Sequence, residues 1–277
     1  MKLSLFLALC HFAAVALLPE PSYSEEAVRI LQPLAARSPL AGVLAEISGL
    51  APAGASSVYA HNDEQATIFE LDIRTGKVLG SVALGRPPVI GDFEAIVAQD
   101  GAVFLITSKG VLYEATIEPS RRSLRYRVTD TGLGRECEIE GFAPGGASGN
   151  YFIACKQAGR RLVVYAWSRE SGAGKVINLK LGGAVPNPDD FRASDIVHDR
   201  KRNSLLVLDS AAGAILEISP TGEFVAYWRL GGLHRQAEGL ALLADGGLVV
   251  ADEGKIGKGA LTSAALTLYP PRYPTRQ

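Results

Sequence analysis

Apolar and polar positions alternate along most of the chain in short runs that are separated by turn residues. "TIFELDI" (67–73) and "AILEISP" (214–220) alternate with a period of two, which is typical of a strand with one buried face. The turns "RTGK" (74–77) and "PTGE" (220–223) follow them, and each turn leads into another apolar run. Beyond residue 24 no stretch keeps a helical period for more than a turn or two. The pattern therefore predicts an all-β protein.

A short motif recurs five times, each time with small or apolar residues around a central serine or glutamate. The copies are "EISGL" (46–50), "DFEAI" (92–96), "EIEGF" (138–142), "RASDI" (192–196) and "QAEGL" (236–240). Their central residues are 46, 46, 54 and 44 positions apart. Each copy is followed by a turn, an apolar strand with a polar end, and further strands. Four short antiparallel strands per repeat are the organisation of a propeller blade.

The repeats predict a single five-bladed β-propeller of four-stranded antiparallel blades over residues 25–277. Six blades are the alternative, because the insertion "GGAVPNPDD" (182–190) lengthens one spacing. The last repeat is one strand short, since only "ALTLYPP" (265–271) follows "LVVADEG" (248–254). We expect "AVRILQPLA" (27–35) to supply the missing strand, which would join the two chain ends and remove an open sheet edge.

The first residues differ from the rest. Lys2 precedes an apolar stretch of sixteen residues, 3–18, and small residues follow at Ser22 and Ser24. This pattern predicts a secretory signal peptide over residues 1–24 and an exported protein of the periplasm or cell envelope, with peripheral association with the envelope. The stretch is shorter than the roughly 20 residues that span a bilayer. An uncleaved N-terminal membrane anchor is the alternative.

The composition limits which classes of partner the protein can bind and indicates whether its cysteines form a disulfide. The net charge is −1 and there is no run of lysine and arginine, which argues against nucleic acid as a partner. After the signal two cysteines are left, Cys137 and Cys155. An even pair in an exported protein suggests a disulfide, and a hairpin turning near residues 145–149 places the two almost opposite each other. Two buried free thiols are the alternative. The sequence does not determine the oligomeric state.

The first strand of each propeller blade lines the central channel. The motif positions should therefore converge on one axis, and these are Ser48, Glu94, Glu140, Ser194 and Glu238. A period of two places a second set on the same face, namely Glu46, Asp92, Glu138, Arg192 and Gln236. The ends of the second strands contribute further polar residues, among them His61, Lys109, Lys156, Asp209, Asp252 and Glu253.

The same motifs, taken in order with "HNDE", "IFELDIRTGKVL", "YFIACK" and "LLVLDSAAGAILEISPTGEFV", resemble the SdiA-regulated, YjiK-like β-propeller family over nearly all of the mature chain. The resemblance implies an exported or envelope propeller, related to phytase-like propellers, with an acidic central site that takes Ca²⁺. The chain departs from the family pattern at "RASDI", where Asp195 stands in place of the glycine that usually follows. Either the ring is altered there or the strand is shifted by one residue.

Carboxylates that converge repel one another, so they must bind protons, pair with cations or coordinate a metal. Ca²⁺ suits a site rich in carboxylate oxygens. We predict Glu94, Glu140 and Glu238 as core metal ligands and Asp252 and Glu253 as secondary ones. The predicted ligand-binding residues are Ser48, His61, Lys109, Lys156, Arg192 and Asp209. The alternative is a solvated channel in which the acids pair with Lys109, Lys156 and Arg192.

Three functions compete on this basis. The leading hypothesis is a propeller that binds Ca²⁺ or a small ligand in its acidic channel without established catalysis. The second is a phytase-like, calcium-dependent phosphoric-ester hydrolase that uses the same channel. The third is a protein-interaction scaffold that acts through rim loops such as residues 85–92 and 182–190. No motif for serine, cysteine or zinc catalysis occurs. His198 and His234 are expected on the surface.

Overall fold

The computed structural model describes residues 28–118, 120–156, 162–181, 183, 185–186, 188–232, 234–257 and 260–273. The predicted signal peptide, residues 1–24, lies outside the described residues, as does part of the predicted insertion at 182–190. Within the described ranges, no helix has the length and apolar composition needed to cross a membrane. The helical segments among them include three short 3-10 turns, Gly42–Leu44, Leu133–Arg135 and Pro188–Asp190.

Five four-stranded antiparallel blades form a ring, which confirms the predicted five-bladed propeller. The innermost strands are β3 (Ile47–Pro52), β7 (Phe93–Gln99), β12 (Glu138–Pro144), β16 (Ala193–Asp199) and β20 (Ala237–Leu242). The second strands are β4 (Ser57–Asn62), β8 (Ala102–Thr107), β13 (Asn150–Lys156), β17 (Ser204–Asp209) and β21 (Leu248–Asp252). The third strands are β5 (Thr67–Asp72), β9 (Val111–Thr116), β14 (Leu162–Ser168), β18 (Ala214–Ile218) and β24 (Ala265–Tyr269).

The outermost strands of blades one to five are β6 (Val78–Leu84), β11 (Arg127–Asp130), β15 (Ala173–Val176), β19 (Phe224–Leu230) and β2 (Ser38–Pro39). Four short strands lie outside this scheme, namely β1 (Val28–Leu31), β10 (Ser123–Leu124), β22 (Lys255–Gly257) and β23 (Ala260–Thr262). Strand β10 adds a parallel fifth strand to the edge of blade one. Strands β22 and β23 pair with each other as a separate hairpin.

The core consists of apolar layers between neighbouring blades. Five hydrophobic clusters fill the five junctions of the ring. Because each blade packs on both faces, its second strand is mostly apolar, and every residue of β17 is buried. At the periphery one face meets water, and all four residues of β15 are exposed. This explains why the inner strands of each repeat are apolar runs while the outer ones alternate or are polar.

The ring is closed by the N-terminal segment, as predicted, but not by the predicted residues. Residues 28–31 do not complete blade five; they form β1, which pairs in parallel with β19 at the edge of blade four. The antiparallel partner of β24 is β2, at Ser38–Pro39. The intervening chain already contacts that edge, because the Leu34 N–H donates to the Leu268 carbonyl at 2.8 Å. The segment therefore connects the outer edges of blades four and five before the first blade begins.

A disulfide joins Cys137 and Cys155, with the two Cα atoms 5.7 Å apart. Cys137 directly precedes β12, and Cys155 lies on β13 opposite Ile139. Both cysteines are buried in the apolar layer between blades two and three. The bond therefore fixes the start of the inner strand of blade three, which carries Glu140.

We expect Cys137→Ala/Cys155→Ala to lower the free energy of unfolding by about 3 kcal/mol, because the unfolded chain regains the entropy of a loop of 18 residues. Urea unfolding followed by circular dichroism measures this. As a control, a reductant should lower the stability of the wild type to that of the variant and leave the variant unchanged. Equal stability of the oxidised wild type and the variant would contradict the expectation.

Candidate functional site

Each of the five motif copies forms a β-bulge on the inner strand of its blade. The strand register skips one residue between Ile47 and Gly49, and the same skip occurs at the equivalent place in the other four blades. The skipped residues are the central motif residues Ser48, Glu94, Glu140, Ser194 and Glu238. An extra residue in one strand of a ladder is left unpaired and its side chain is re-aimed. The sequence motif is therefore the signature of a bulge, which the period-two interpretation did not foresee.

The glycine after the bulge allows neighbouring inner strands to approach closely. A Cβ atom at Gly141 would lie 2.7 Å from the Ile196 nitrogen of blade four. A Cβ atom at Gly239 would lie 2.9 Å from Leu50 Cγ of blade one. No real Cβ contact is that short without movement of the backbone. The small residue of the motif therefore serves the packing of the ring, while the bulged residue before it faces the axis.

Three glutamates from blades two, three and five share one axial site, which we call the glutamate cluster (Glu94, Glu140 and Glu238). Burial raises the pKa of Glu94 to about 9, and the charges of Glu140, Asp92 and Glu238 add to the rise. Burial, Glu253 and Glu140 raise the pKa of Glu238 to about 8. These mutual effects mean that residues 46 to 144 positions apart in the sequence lie within electrostatic range.

Polar side chains from neighbouring strands form hydrogen bonds with the glutamate cluster and reduce the repulsion between its carboxylates. Lys156 Nζ donates to Glu140 Oε1 and lies 4.0 Å from Glu138 Oε2. Burial raises the pKa of Glu140 to about 7, and Lys156 opposes that rise. Ser48 Oγ donates to Glu94 Oε2 at 3.2 Å, so the bulged residue of blade one contacts that of blade two. Two of the predicted ligand-binding residues, Ser48 and Lys156, are thus placed against the cluster.

Further carboxylates continue from the cluster toward the junction of blades one and two, and we call them the acidic mouth (Glu46, Asp63, Glu64 and Asp92). Burial raises the pKa of Asp63, and the charges of the other three add to the effect. Asp92 also raises the pKa of Glu94 and Glu140, so the mouth is electrostatically continuous with the glutamate cluster. The arrangement favours cationic or protonated species on this side of the ring.

The two predicted secondary metal ligands fall in different places, although they are adjacent in sequence. Glu253 accepts a hydrogen bond from Gln236 and acts on the pKa of Glu238, so it lies beside the cluster. Asp252 belongs to a separate buried group, in which its Oδ2 meets His234 Nδ1 at 2.8 Å and Arg37 Nη2 at 3.0 Å. The side chain of His234 is 2% exposed, so its predicted surface location is wrong. Its partners come from segments distant in sequence.

His61 and Asp209, both predicted to bind ligand, have structural contacts. His61 is fully buried, its Nδ1 lies 2.8 Å from the Asn62 carbonyl, and burial lowers its pKa to about 4. Its ring lies against Gly49, where an added Cβ would come within 2.7 Å of Nε2. Asp209 Oδ1 accepts the N–H groups of Ala211 and Ala212 at 3.1 Å each, which fixes the turn after β17.

The two remaining basic residues of the predicted set, Lys109 and Arg192, differ from Lys156 in their surroundings. Lys109 is exposed in the turn that follows β8. Arg192 Nη2 lies 3.9 Å from Asp190 Oδ1, and the Arg192 side chain is 42% exposed. His198, also expected on the surface, is half-buried, with Nδ1 2.9 Å from the Pro144 carbonyl.

Asp195 occupies the axis at the level just beyond the glutamate cluster. Its Oδ1 accepts the Ile196 N–H at 2.7 Å, and its Oδ2 accepts the Leu240 N–H of blade five at 2.7 Å. The Leu50 N–H of blade one is a third donor. The strand is not shifted, because Ser194 is the bulged residue, so the ring itself is altered here. The signal in the sequence was the aspartate that replaces glycine in the fourth motif copy.

The donor set of the glutamate cluster has the chemistry that Ca²⁺ prefers, which is carboxylate and hydroxyl oxygen. In the arrangement described, however, no group of three or more histidine, cysteine, aspartate or glutamate side chains stands close enough to hold a metal ion, counting described residues alone. The glutamates lie near enough to shift one another's pKa values, and Lys156 lies against one of them. A shared ion would therefore require the long glutamate side chains to change rotamer.

No protein-family model matches the sequence, and no curated protein matches it. Solved structures do. The glutaminyl cyclase of Myxococcus xanthus is similar with a TM-score of 0.59 and 16% identity, over 87% of this chain and 98% of that one. The PQQ-bound aldose sugar dehydrogenase of Streptomyces coelicolor is similar with a TM-score of 0.55 and 14% identity, over 86% and 97%.

A calcium-binding protein, regucalcin from Agrobacterium tumefaciens, is similar with a TM-score of 0.50 and 13% identity, over 88% of this chain and 97% of that one. These proteins differ in activity, and fold similarity at such identity carries no activity with it. What the similarity shows is that the chain has the fold of the β-propeller proteins.

Proposed function

We propose that this protein is an exported β-propeller that binds a cation, Ca²⁺ in the first instance, at the glutamate cluster. The observation that carries the proposal is the convergence of Glu94, Glu140 and Glu238, each on the bulge of a different blade. Such a cluster is unfavourable as three free carboxylates and is relieved by protons, by Lys156 or by a bound cation. A divalent ion balances more charge in the same space than the single ammonium group does.

The proposed site assigns a role to each neighbouring residue. Glu94 and Glu238 would turn their carboxylates toward the axis, and Glu140 would exchange Lys156 for the ion. Ser48 and Glu253 stand beside the cluster as additional oxygen donors, and water would complete a shell of six to eight ligands. The acidic mouth would raise the local concentration of cations outside the site. Bound Ca²⁺ would supply charge balance and crosslink the inner strands of three blades.

Two observations support export. The first residues have the pattern of a secretory signal, and the Cys137–Cys155 disulfide is a bond that persists in oxidising compartments. We further propose that the chain is a member of the SdiA-regulated, YjiK-like propellers, because its motif copies match that pattern in order. On this proposal, the mature protein begins at Glu25 and resides in the periplasm or cell envelope.

Calorimetric titration of Ca²⁺ into the mature chain tests the proposal. We expect one site in the wild type and roughly a hundredfold weaker binding in Glu94→Gln/Glu140→Gln, since two carboxylate ligands lose their charge. Glu223→Gln is the matched control, because Glu223 is exposed on blade four and pairs with Lys180. Absence of binding to the wild type, or equal binding by the double variant, would refute the proposal.

The geometry favours cation binding over phosphoric-ester hydrolysis. Phosphate binding would need basic side chains, but of the three basic residues among the predicted ligand-binding residues, Lys156 contacts Glu140, whereas Lys109 and Arg192 have other surroundings. His61 has its pKa lowered to about 4 and is buried beside Gly49, so it is not placed to carry protons to a substrate. We therefore expect no Ca²⁺-dependent release of phosphate from phytate, which a colorimetric assay of the same samples measures.

A further inference from the structure

A cavity lies on the axis at the opposite end of the ring from the glutamate cluster. Its volume is about 240 Å³, and all five blades contribute to its wall. The apolar part of the wall comes from the later residues of the inner strands, among them Leu50, Ile96, Phe142, Ile196 and Leu242. The bulged glutamates stand at the start of these strands. The two sites therefore face opposite sides of the molecule.

The Asp195 carboxylate lies on the axis between this cavity and the glutamate cluster. The Asp195 carboxylate binds backbone N–H groups of the inner strands of blades four, five and one. Leu50 and Ile196, whose N–H groups it accepts, also line the cavity. The axis is thus bridged by hydrogen bonds just below the cavity floor. A ligand in the cavity would not reach the glutamate cluster.

The charged group at the rim of the cavity is Arg200. Its Nη2 donates to the Gly145 carbonyl at 2.9 Å and to Gln99 Oε1 at 3.3 Å, so two neutral oxygens hold the guanidinium in place. Arginine has five N–H donors, and both contacts use the same nitrogen, Nη2. Among the described residues, further N–H groups of Arg200 therefore remain available to a ligand. The neighbouring Asp199 is balanced by the buried Arg272, with Nη2 2.7 Å from Oδ2. Arg200 accordingly puts a positive charge at the rim, where Gln99 and the half-buried His198 also line the cavity, beside an inner wall of apolar side chains.

We propose that this cavity binds a small monocarboxylate with an apolar body, whose carboxylate pairs with Arg200. The volume sets the size, because an apolar cavity of about 150 Å³ accommodates benzene. A phenyl ring with two to four further heavy atoms therefore fills 240 Å³. The apolar walls of five blades take the body of the ligand. The preset guanidinium takes its charge at the open end, where a planar carboxylate matches the guanidinium fork.

A matched set of three probes tests this with the mature chain by ligand-detected NMR titration. Phenylacetate, phenylacetamide and phenethylamine share a ring and differ in charge. We expect phenylacetate to bind with a Kd on the order of 1 mM, and the neutral and cationic probes to bind about fivefold or more weakly. Arg200→Gln should weaken phenylacetate about fivefold and leave phenylacetamide unchanged. Leu242→Trp, which fills the cavity, should abolish binding of all three.

Lys201→Gln is the matched control, because it removes the same charge from the same turn while Lys201 Nζ binds the Ala244 carbonyl. It should bind phenylacetate as the wild type does. Glu94→Gln should also leave phenylacetate binding unchanged, which separates this cavity from the cation site. Equal binding of the three probes, an unaffected Arg200→Gln or no binding of phenylacetate to the folded wild type would overturn the proposal.

Discussion

Without Ca²⁺, the stability of the protein should fall steadily as the pH rises from 6.5 to 9. In the folded state Glu94 has a pKa of about 9 and Glu238 of about 8, against 4.5 for both in an unfolded chain. A raised pKa in the folded state means that stability is fully present below pH 4.5 and is lost as the pH rises through the folded value. Each proton that the folded state retains and the unfolded state has lost lowers the free energy of unfolding by about 1.4 kcal/mol for each unit by which the pH rises. The two glutamates together should lower it on the order of 5 kcal/mol across this window.

The lower limit of the window follows from His61. Its pKa is lowered from 6.5 to about 4 in the folded state, so it destabilises the fold as the pH falls below 6.5. Above that value the imidazole is neutral in both states and contributes no slope. Below pH 6.5 the two glutamates outweigh the single histidine, so stability should continue to rise, with about half the slope, as the pH falls toward 4.5. Urea unfolding in the presence of a chelator, repeated at half-unit steps of pH, measures the curve.

Glu94→Gln isolates the main contributor. The amide keeps the shape and the Ser48 contact but cannot ionise, so the fall between pH 6.5 and 9 should be about 3 kcal/mol smaller than in the wild type. Glu223→Gln, an exposed carboxylate on blade four, should leave the slope unchanged. A wild type whose stability is flat or rises over this range would show that the glutamates are not buried together at the axis.

Asp195→Ala should lower the free energy of unfolding by about 4 kcal/mol. Three backbone N–H groups, of Leu50, Ile196 and Leu240, would lose their acceptor in a buried place, and each such loss costs about 1–3 kcal/mol. Burial raises the pKa of Asp195, and these N–H groups oppose the rise because they favour the ionised form. Removing the buried charge recovers part of its desolvation free energy, which keeps the expected loss below the sum of three bonds.

Two neighbouring substitutions make this result specific. Asp195→Asn should cost about 2 kcal/mol, because its amide turns an N–H toward a backbone donor. Ser194→Ala removes one hydrogen bond, from Ser194 Oγ to the Ala237 carbonyl at 2.7 Å, and should cost about 1 kcal/mol. Urea unfolding at pH 7 ranks the three variants. If Asp195→Ala proved no less stable than Ser194→Ala, the carboxylate would not be joining the inner strands.

The two axial sites differ in how far the sequence predicted them. The glutamate cluster was predictable. The inner strand of every blade lines the axis, so a polar residue that recurs at the same position of each repeat must face the axis in each blade. The opposite cavity was not, because single apolar residues of five separate strands make its wall and Arg200 lies in an ordinary charged turn. Nor does any local pattern show that Asp195 binds the strands beside it.

Two adjacent residues also have different surroundings that the sequence did not predict. Asp252 and Glu253 both end a strand beside the motif, and the sequence treats them alike. Register places Glu253 beside Glu238 and turns Asp252 toward His234 and Arg37, because neighbouring residues of a strand point to opposite faces. On the inner strands the bulge at each motif adds one residue, so alternation alone assigns the faces there incorrectly.

By itself, the sequence determined the all-β class, the five blades, the closure through the N-terminal segment and the three motif glutamates that form the glutamate cluster. All of these follow from the period of the hydrophobic pattern and from the spacing of the repeats, and both can be read directly from the order of the residues. The tertiary structure alone decided the bulges, the use of Ser38–Pro39 as the closing strand, the burial of His61 and His234, and the bridge at Asp195. Each depends on a contact between residues far apart in sequence, and no local pattern encodes which distant partner a strand edge or a buried polar group will find.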